Sequence, residues 1–280
     1  VLEGLEFVPS WHRPSQPGSL TLLKSRHMVD VYADLLAPHP HPRMVELGIS
    51  QGGSVALLAL LARPQRFVAV ELASEPVVPL VDALADLGLA DTVTAHFGVD
   101  QGDQPRLAAL VDEAFGGEPL DVVIDDASHR YRPTVASFEV LFPRLRPGGV
   151  YVIEDWTCFD LSANAMAAVL GDRESPLRPR LFEMFEEQAA ASGGAPPDPP
   201  LSRIAVELAL ARAASGELVA DVSLDENWIV VHRGPGEIDP EGFRLRHLYP
   251  DHYNLLNRRP DERPQPGEPG YSALASYEPG

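Results

Sequence analysis

Cysteine occurs once in this chain of 280 residues, at Cys158. An internal disulfide is therefore excluded, and a single thiol suits a reducing cytoplasm. No apolar run approaches the ~20 residues that a bilayer-spanning helix needs. The first residues, VLEGLEFVPSWHRPSQPGS, lack a basic segment followed by an apolar one, so they do not read as a secretory signal. A cytoplasmic chain with no membrane association is the expectation. Positive charge is also scarce: 22 Lys and Arg stand against 41 Asp and Glu, a formal net charge of −19. Nucleic-acid binding rests on Lys and Arg neutralising phosphates, and no basic run is present, so no nucleic-acid partner is expected. Lysine is as rare as cysteine, with Lys24 alone in the chain, whereas Ala, Arg and Pro are abundant. That bias reads as high-GC bacterial coding and carries no chemistry by itself.

The remainder is ordinary globular material, 45 % hydrophobic and 22 % charged. It suffices for one sizeable α/β domain with additions. Residues 1–18 are irregular and Pro-rich. Residues 19–37 follow a helical period, with Leu20, Leu23, Met28, Val31 and Leu35 close to one face. The chain then alternates. MVELG, RFVAVEL, DTVTAHFGV, LDVVIDD and GGVYVIEDW have strand character, and GGSVALLALLARP, 75–88, 104–115 and 133–145 have helical character. Such alternation predicts a parallel sheet covered on both faces, with ligands outside the carboxyl ends of the strands. After residue 156 the pattern changes. Residues 161–215 are helical in character, interrupted by ASGGAPPDPP, and ELVADVSL and NWIVVHRG predict two strands joined across a short turn. The expected fold class is α/β, doubly wound, with a mostly parallel seven-stranded sheet and an antiparallel C-terminal hairpin. Three parts are expected: an N-terminal segment and helix on the substrate side (1–38), the ligand-binding domain (39–233) with a helical insert (157–216), and a Pro-rich tail (234–280).

The first strand and turn read Val45-Glu46-Leu47-Gly48-Ile49-Ser50-Gln51-Gly52-Gly53-Ser54. Glycines let this backbone turn tightly and approach a ligand. The helix start near Gly52 offers free N–H groups to a carboxylate. Glu46 is placed to accept from an ammonium, and Glu71, ending the second strand, to accept from ribose hydroxyls. A dinucleotide fingerprint would read G-x-G-x-x-G, whereas these glycines lie three residues apart with a carboxylate two before the first. That carboxylate would repel a diphosphate and suits a zwitterionic amino acid. The turn therefore predicts S-adenosylmethionine, held by Glu46, Gly48, Ser50, Gly52, Ser54 and Glu71. Asp100 or Gln101, after the third strand, is placed for adenine, with a solvated loop as the alternative reading.

Strand four ends in Ile124-Asp125-Asp126-Ala127-Ser128-His129 and strand five in Ile153-Glu154-Asp155-Trp156. Adjacent parallel strands would deliver both ends to one cleft, gathering four carboxylates and an imidazole. Like charges so gathered raise one another's pKa unless a cation is bound. Oxygen-only carboxylate ligands favour a hard ion such as Mg²⁺. His129, three residues after Asp126, is close enough to act as a general base. Asp125 is placed with the cofactor contacts, local capping being its other reading. Trp156 and Phe159 are candidates to pack on an acceptor or under the insert, and His12 and His27 to reach the cleft from the N-terminal segment.

VELGISQGGS, AVEL, IDDASH and LFPRLRPGGVYVIEDW together resemble the metal-dependent class I sugar O-methyltransferases of the macrocin and mycinamicin type, with cephalosporin-hydroxylase-like methyltransferases as more distant relatives. The resemblance covers roughly 40–233 and is strongest from 121 to 156. It implies Mg²⁺ at Asp126, Glu154 and Asp155, with His129 as base. It also implies methyl transfer from S-adenosylmethionine to one hydroxyl of a metal-bound vicinal diol on a sugar. The expected partners are a small-molecule glycoside and a second copy of the chain in a homodimer. A catechol-type small-molecule methyltransferase, a nicotinamide-dependent oxidoreductase and a non-catalytic binding protein are the alternatives. The insert and the tail fall outside the resemblance, and the acceptor's identity with them.

Overall fold

The computed structural model describes residues 1–10, 13–157 and 198–249, with 173, 174, 176, 178 and 179 between them. His12, Cys158, Phe159, most of the expected insert and the tail beyond 249 lie outside the described residues. Two short strands, β1 (Glu6–Val8) and β2 (Ser19–Thr21), pair in parallel ahead of helix α1 (Arg26–Leu36). The main sheet follows, with β3 (Arg43–Leu47), β4 (Arg66–Glu71), β5 (Val93–Phe97), β6 (Leu120–Asp125) and β7 (Leu145–Glu154) in parallel. β8 (Val219–Leu224) and β9 (Trp228–Arg233) close it as an antiparallel hairpin, with β9 against β7. The order across the seven strands is β5-β4-β3-β6-β7-β9-β8. The reversal between β3 and β6 sets the place where such sheets open a crevice at their carboxyl edge.

Helices cover both faces. Helix α2 (Gly53–Ala62) buries Val55, Ala56, Leu57, Leu58, Ala59 and Leu60, so it is apolar all round and enclosed rather than amphipathic. On that face it packs with α1 and α3 (Val78–Asp86). The other face carries α4 (Gln104–Phe115), α5 (Tyr131–Leu141) and α6 (Arg203–Ala214). There Phe138 stacks on Phe142 at 4.6 Å and tilts against Tyr151 at 4.9 Å. The asymmetry of α4 follows local rules: Asp103 caps its start by accepting from the Arg106 amide at 3.2 Å, and Gly116 ends it at φ 61°. Phe243 and Leu245 anchor the start of the tail in the same core.

One element differs from the sequence expectation. Residues 19–21 form β2 rather than the start of a helix, and α1 begins only at Arg26. Leu20 is fully buried, so it matched the helical period while serving a strand. The break comes from Ser25, whose hydroxyl accepts from the Met28 amide at 3.2 Å and so caps α1. Upstream of it the Thr21 amide donates to Ser15 Oγ at 2.8 Å and the Thr21 hydroxyl to the Arg13 carbonyl at 2.6 Å, which holds the chain extended. β2 thereby lies directly on the first turn of α2. A Cβ on Gly53 would stand 2.1 Å from the Thr21 carbonyl oxygen. Ordinarily Gly→Ala inside a helix gains about 1 kcal/mol. For Gly53→Ala the prediction is the opposite sign, a loss of about 1–3 kcal/mol in urea denaturation, because backbone must move to admit the methyl group.

Candidate active site

The register of three strands builds the site. Leu47 pairs with Asp125, and Asp125 with Ile153, so the carboxyl ends of β3, β6 and β7 lie side by side. Glu46, Asp126 and Glu154 thus come to one edge, as the sequence led us to expect. The backbones fit tightly there. A Cβ at Gly48 (φ 96°) would fall 2.2 Å from the Asp126 carbonyl oxygen, so only glycine permits the turn after β3 to pass beneath the turn after β6.

On the β3 side, Gly52 precedes α2 at φ 83°, and no side chain caps that helix. Its first N–H groups remain available to an anion. Glu46 is fully buried, and neither carboxylate oxygen has a hydrogen-bond partner. Burial pushes its carboxyl up to about 8, against the pull of Lys24 and of the nearby Ser54 hydroxyl. A buried, unpartnered carboxylate beside an uncapped helix start fits an ammonium–carboxylate pair, the amino-acid end of S-adenosylmethionine. Glu71 accepts from the amides of Ile49 and Ser50, both at 2.9 Å, and of Ala73 at 3.0 Å. It therefore shapes the turn as well as lining a cavity of about 390 Å³ that also meets Ser50, Gln51 and Pro76. Ser15 of the N-terminal segment closes this end, its hydroxyl donating to the Gln51 carbonyl at 2.7 Å.

Asp125 and Asp126 diverge. Asp125 is buried and accepts from Gln101 Nε2 at 3.1 Å, Ser137 Oγ at 2.8 Å and Tyr151 OH at 3.2 Å. Burial pushes its carboxyl up to about 6 against those three donors. Its oxygens, expected to meet the cofactor, belong here to a network inside the domain. Asp100 is exposed and accepts from the Gly102 amide at 2.8 Å, a local loop contact. Gln101, buried beside it, accepts from the Ser128 amide at 2.9 Å and so holds the loop that carries His129.

Asp126, His129 and Asp155 form a half-buried group whose nearest ligand atoms all lie within 4.8 Å of one another. His129 Nε2 stands 3.9 Å from Asp126 Oδ1. His129 and Asp155 both adopt left-handed backbone, at φ 50° and 51°. Non-glycine residues rarely do so, and two of the six that do among the described residues belong to this group. The amide of Asp155 is fixed by the Asn227 carbonyl at 2.6 Å. Two carboxylates and an imidazole are a donor set that accepts a divalent ion, with the carboxylates suited to Mg²⁺.

Glu154, expected among the metal ligands, is held here by the N-terminal segment and α1. It is buried, and Oε1 receives both the Lys24 ammonium at 2.6 Å and the Tyr32 hydroxyl at 2.5 Å. Lys24 also reaches Asp126 Oδ2 at 3.0 Å. Burial alone would pull the Lys24 ammonium down, but Glu154, Asp126 and Glu46 hold it above the usual lysine range. Burial and the Asp126 charge push the Glu154 carboxyl up. Three carboxyl groups thus face one ammonium, and those of Glu46 and Glu154 are both pushed up. The sequence reading gives the lone Lys24 no chemical role and does not single out Tyr32. The signal was there: a single lysine kept among many arginines, with Met28 and Tyr32 following at helical spacing. His27 is exposed, with its ring 6.5 Å from that of Trp228. Trp156 donates to the Asp225 carbonyl at 2.8 Å and packs against the core, which ties it to the β8–β9 hairpin.

With this geometry in place, similarity to known proteins adds the family. Residues 45–156 match the family model described as a methyltransferase domain. The matched stretch runs from β3 to β7. Over 56 residues it is 54 % identical to an 8-demethyl-8-alpha-L-rhamnosyl tetracenomycin-C 2'-O-methyltransferase of Streptomyces olivaceus, a stretch covering 20 % of this chain and 14 % of that one. Over 59 residues it is 49 % identical to a demethylmacrocin O-methyltransferase of Streptomyces fradiae, covering 21 % and 15 %. The similarity thus spans about a seventh of the length of these curated relatives. A crystal structure of MycE, a methyltransferase from the mycinamycin biosynthetic pathway in complex with Mg and SAH, aligns at 20 % identity and a TM-score of 0.47, covering 76 % of this chain and 51 % of that one.

The buried Glu46 gives a pH signature. Its carboxyl holds a proton to about pH 8 in the folded chain and to about 4.5 in the unfolded one. The folded state therefore binds more protons across that window, and stability falls as pH rises through it. Urea denaturation from pH 6 to 8 is expected to show this decline, shallower in Glu46→Gln; an unchanged slope in the variant contradicts the assignment.

Proposed function

We propose that the chain transfers the methyl group of S-adenosylmethionine to a hydroxyl on the sugar of a small glycosylated molecule, with Mg²⁺ at Asp126 and Asp155 and His129 as the base. The observation that carries this reading is the Asp126–His129–Asp155 group, at the same sheet edge as the unpartnered Glu46. The methyltransferase-domain match supports it, as do relatives named for O-methylation of a rhamnosyl tetracenomycin and of demethylmacrocin.

Each residue then has a task. Glu46 accepts the cofactor's ammonium, and the first amides of α2 meet its carboxylate. Glu71, fixed by three backbone amides, presents its remaining lone pairs towards the ribose. His129 takes the proton of the acceptor hydroxyl as that oxygen forms its bond to the methyl carbon. The sulfur–methyl bond breaks in the same step, and S-adenosylhomocysteine leaves. Mg²⁺, when bound, supplies positive charge that lowers the pKa of the acceptor hydroxyl. A vicinal diol is the acceptor that two neighbouring oxygens on such an ion would select. The chain itself mainly orients the two substrates and fixes charge.

The grouping also favours a second reading, in which His129 is a third ligand to the ion. His129→Ala separates the two. As a base, its loss is expected to lower turnover about 10²–10⁴-fold while S-adenosylhomocysteine and Mn²⁺ affinities stay within about threefold. As a ligand, its loss takes Mn²⁺ affinity with it. The reaction itself is tested by incubating glycoside acceptors with labelled S-adenosylmethionine and Mg²⁺. Methylation that stops in EDTA is expected, and full activity in EDTA contradicts the proposed ion.

A further inference from the structure

His129 stands between neighbours that are held from opposite sides. Upstream, the Ser128 amide donates to the buried Gln101 at 2.9 Å. Downstream, α5 begins at Tyr131, and the residue before it, Arg130, gives no side-chain cap. The cap comes instead from the limb that leads into α6. Asp198 accepts from the Arg132 amide at 3.2 Å, 66 positions away in sequence. That amide is one of the first-turn donors that no helical carbonyl satisfies. The Asp198 side chain is 13 % exposed, with the guanidinium groups of Arg130 and Arg132 at 3.6 and 3.7 Å. Both arginines are largely solvated, so these ion pairs contribute little, and the amide contact is what fixes the backbone. Further along the limb, the buried Glu207 takes the Tyr131 hydroxyl, which stands 2.8 and 2.7 Å from its two oxygens. Arg203 donates to the same carboxylate at 2.8 Å and lies 5.1 Å from the centre of the Tyr131 ring. Arg130, Tyr131 and Arg132, which follow His129 directly, are thus gripped by two acids of one limb.

We infer that Asp198 and Glu207 are positioning residues for His129: they fix the start of α5, and through it the left-handed turn that holds the imidazole 3.9 Å from Asp126. The inference rests on the proposed function, in which His129 takes the acceptor's proton. A non-glycine residue in left-handed backbone persists where its surroundings over-determine it. Gln101 supplies the hold upstream and the limb the hold downstream. Misplacing a reacting group by about 1 Å can cost roughly 10²-fold in rate, so a grip that begins one residue from the imidazole acts on turnover. Acidic side chains also suit the partial positive charge at the start of α5.

The test compares Asp198→Ala, Asp198→Asn and Tyr131→Phe with the full chain, each saturated with S-adenosylhomocysteine. Hydrogen exchange at the Ser128 amide is expected to quicken about tenfold or more in Asp198→Ala and Tyr131→Phe, while the amides of β4 keep their rates. With labelled S-adenosylmethionine, Mg²⁺ and a rhamnosyl glycoside as acceptor, kcat is expected to fall about tenfold or more, with the KM for S-adenosylmethionine within about threefold. Asp198→Asn keeps an oxygen for the Arg132 amide and is expected to restore both readings. Placed in His129→Ala, Asp198→Ala is expected to cost less than about twofold further, because the group it positions is gone. A lower melting temperature with Ser128 exchange and kcat both unchanged is a role in folding alone and overturns the inference. A full additional loss on top of His129→Ala places the effect elsewhere and overturns it too. If Asp198→Ala does not fold, Tyr131→Phe decides on the same readings. If no methylation occurs, or His129→Ala costs no turnover, the proposed function fails, and exchange at Ser128 still decides whether the limb holds His129.

Discussion

Parallel register at the centre of the sheet places three carboxyl groups where one would already be costly to bury. Glu46 follows from β3, Asp126 from the end of β6 and Glu154 from the last residue of β7, and among the described residues the Lys24 ammonium is the cation that answers them. Carboxylates gathered in this way stay ionised only if cations come to them. The deficit of positive charge is therefore the constraint on which the site depends. It is also the source of its affinity for what it would bind: an ammonium at Glu46 and a divalent ion at Asp126 and Asp155. The carboxyls of Glu46 and Glu154 are raised first by burial, and the neighbouring negative charges add to it.

Neighbouring acidic residues in this chain do opposite work. Asp125 points into the domain and is spent on Gln101, Ser137 and Tyr151, which fix the end of β6 from beneath. Asp126 points out into the cleft. Likewise Glu154 is turned inward to Lys24 and Tyr32, while Asp155 turns outward on a left-handed backbone. Each pair combines a residue that anchors the strand end with one that presents a ligand atom. Alternation along a strand gives such opposite directions without further machinery. The strained conformations at Asp155 and His129 complete the convergence.

Much of this was legible beforehand, because hydrophobic period and strand-end chemistry are local. The five parallel strands, the C-terminal hairpin, the glycine turn and the grouping of Asp126, His129 and Asp155 all follow from short runs of sequence. The misplaced features are those decided by distant partners. Whether Leu20 belongs to a helix or a strand depends on Glu6–Val8, several residues upstream. Whether Glu154 is a metal ligand or an ion-pair partner depends on Lys24, 130 positions away. Asp125 and Asp126 look alike in sequence, and it is the distant partners Gln101, Ser137 and Tyr151 that mark Asp125 as the inward one.

The account turns on which carboxylates meet the ion once cofactor and metal are both present. A crystal structure with S-adenosylhomocysteine and Mn²⁺, located by its anomalous signal, reads this directly. The predicted result is a single Mn²⁺ peak held by Asp126 and Asp155, with the cofactor's ammonium on Glu46. A cofactor seated away from Glu46, or no Mn²⁺ peak at Asp126 and Asp155, would contradict it.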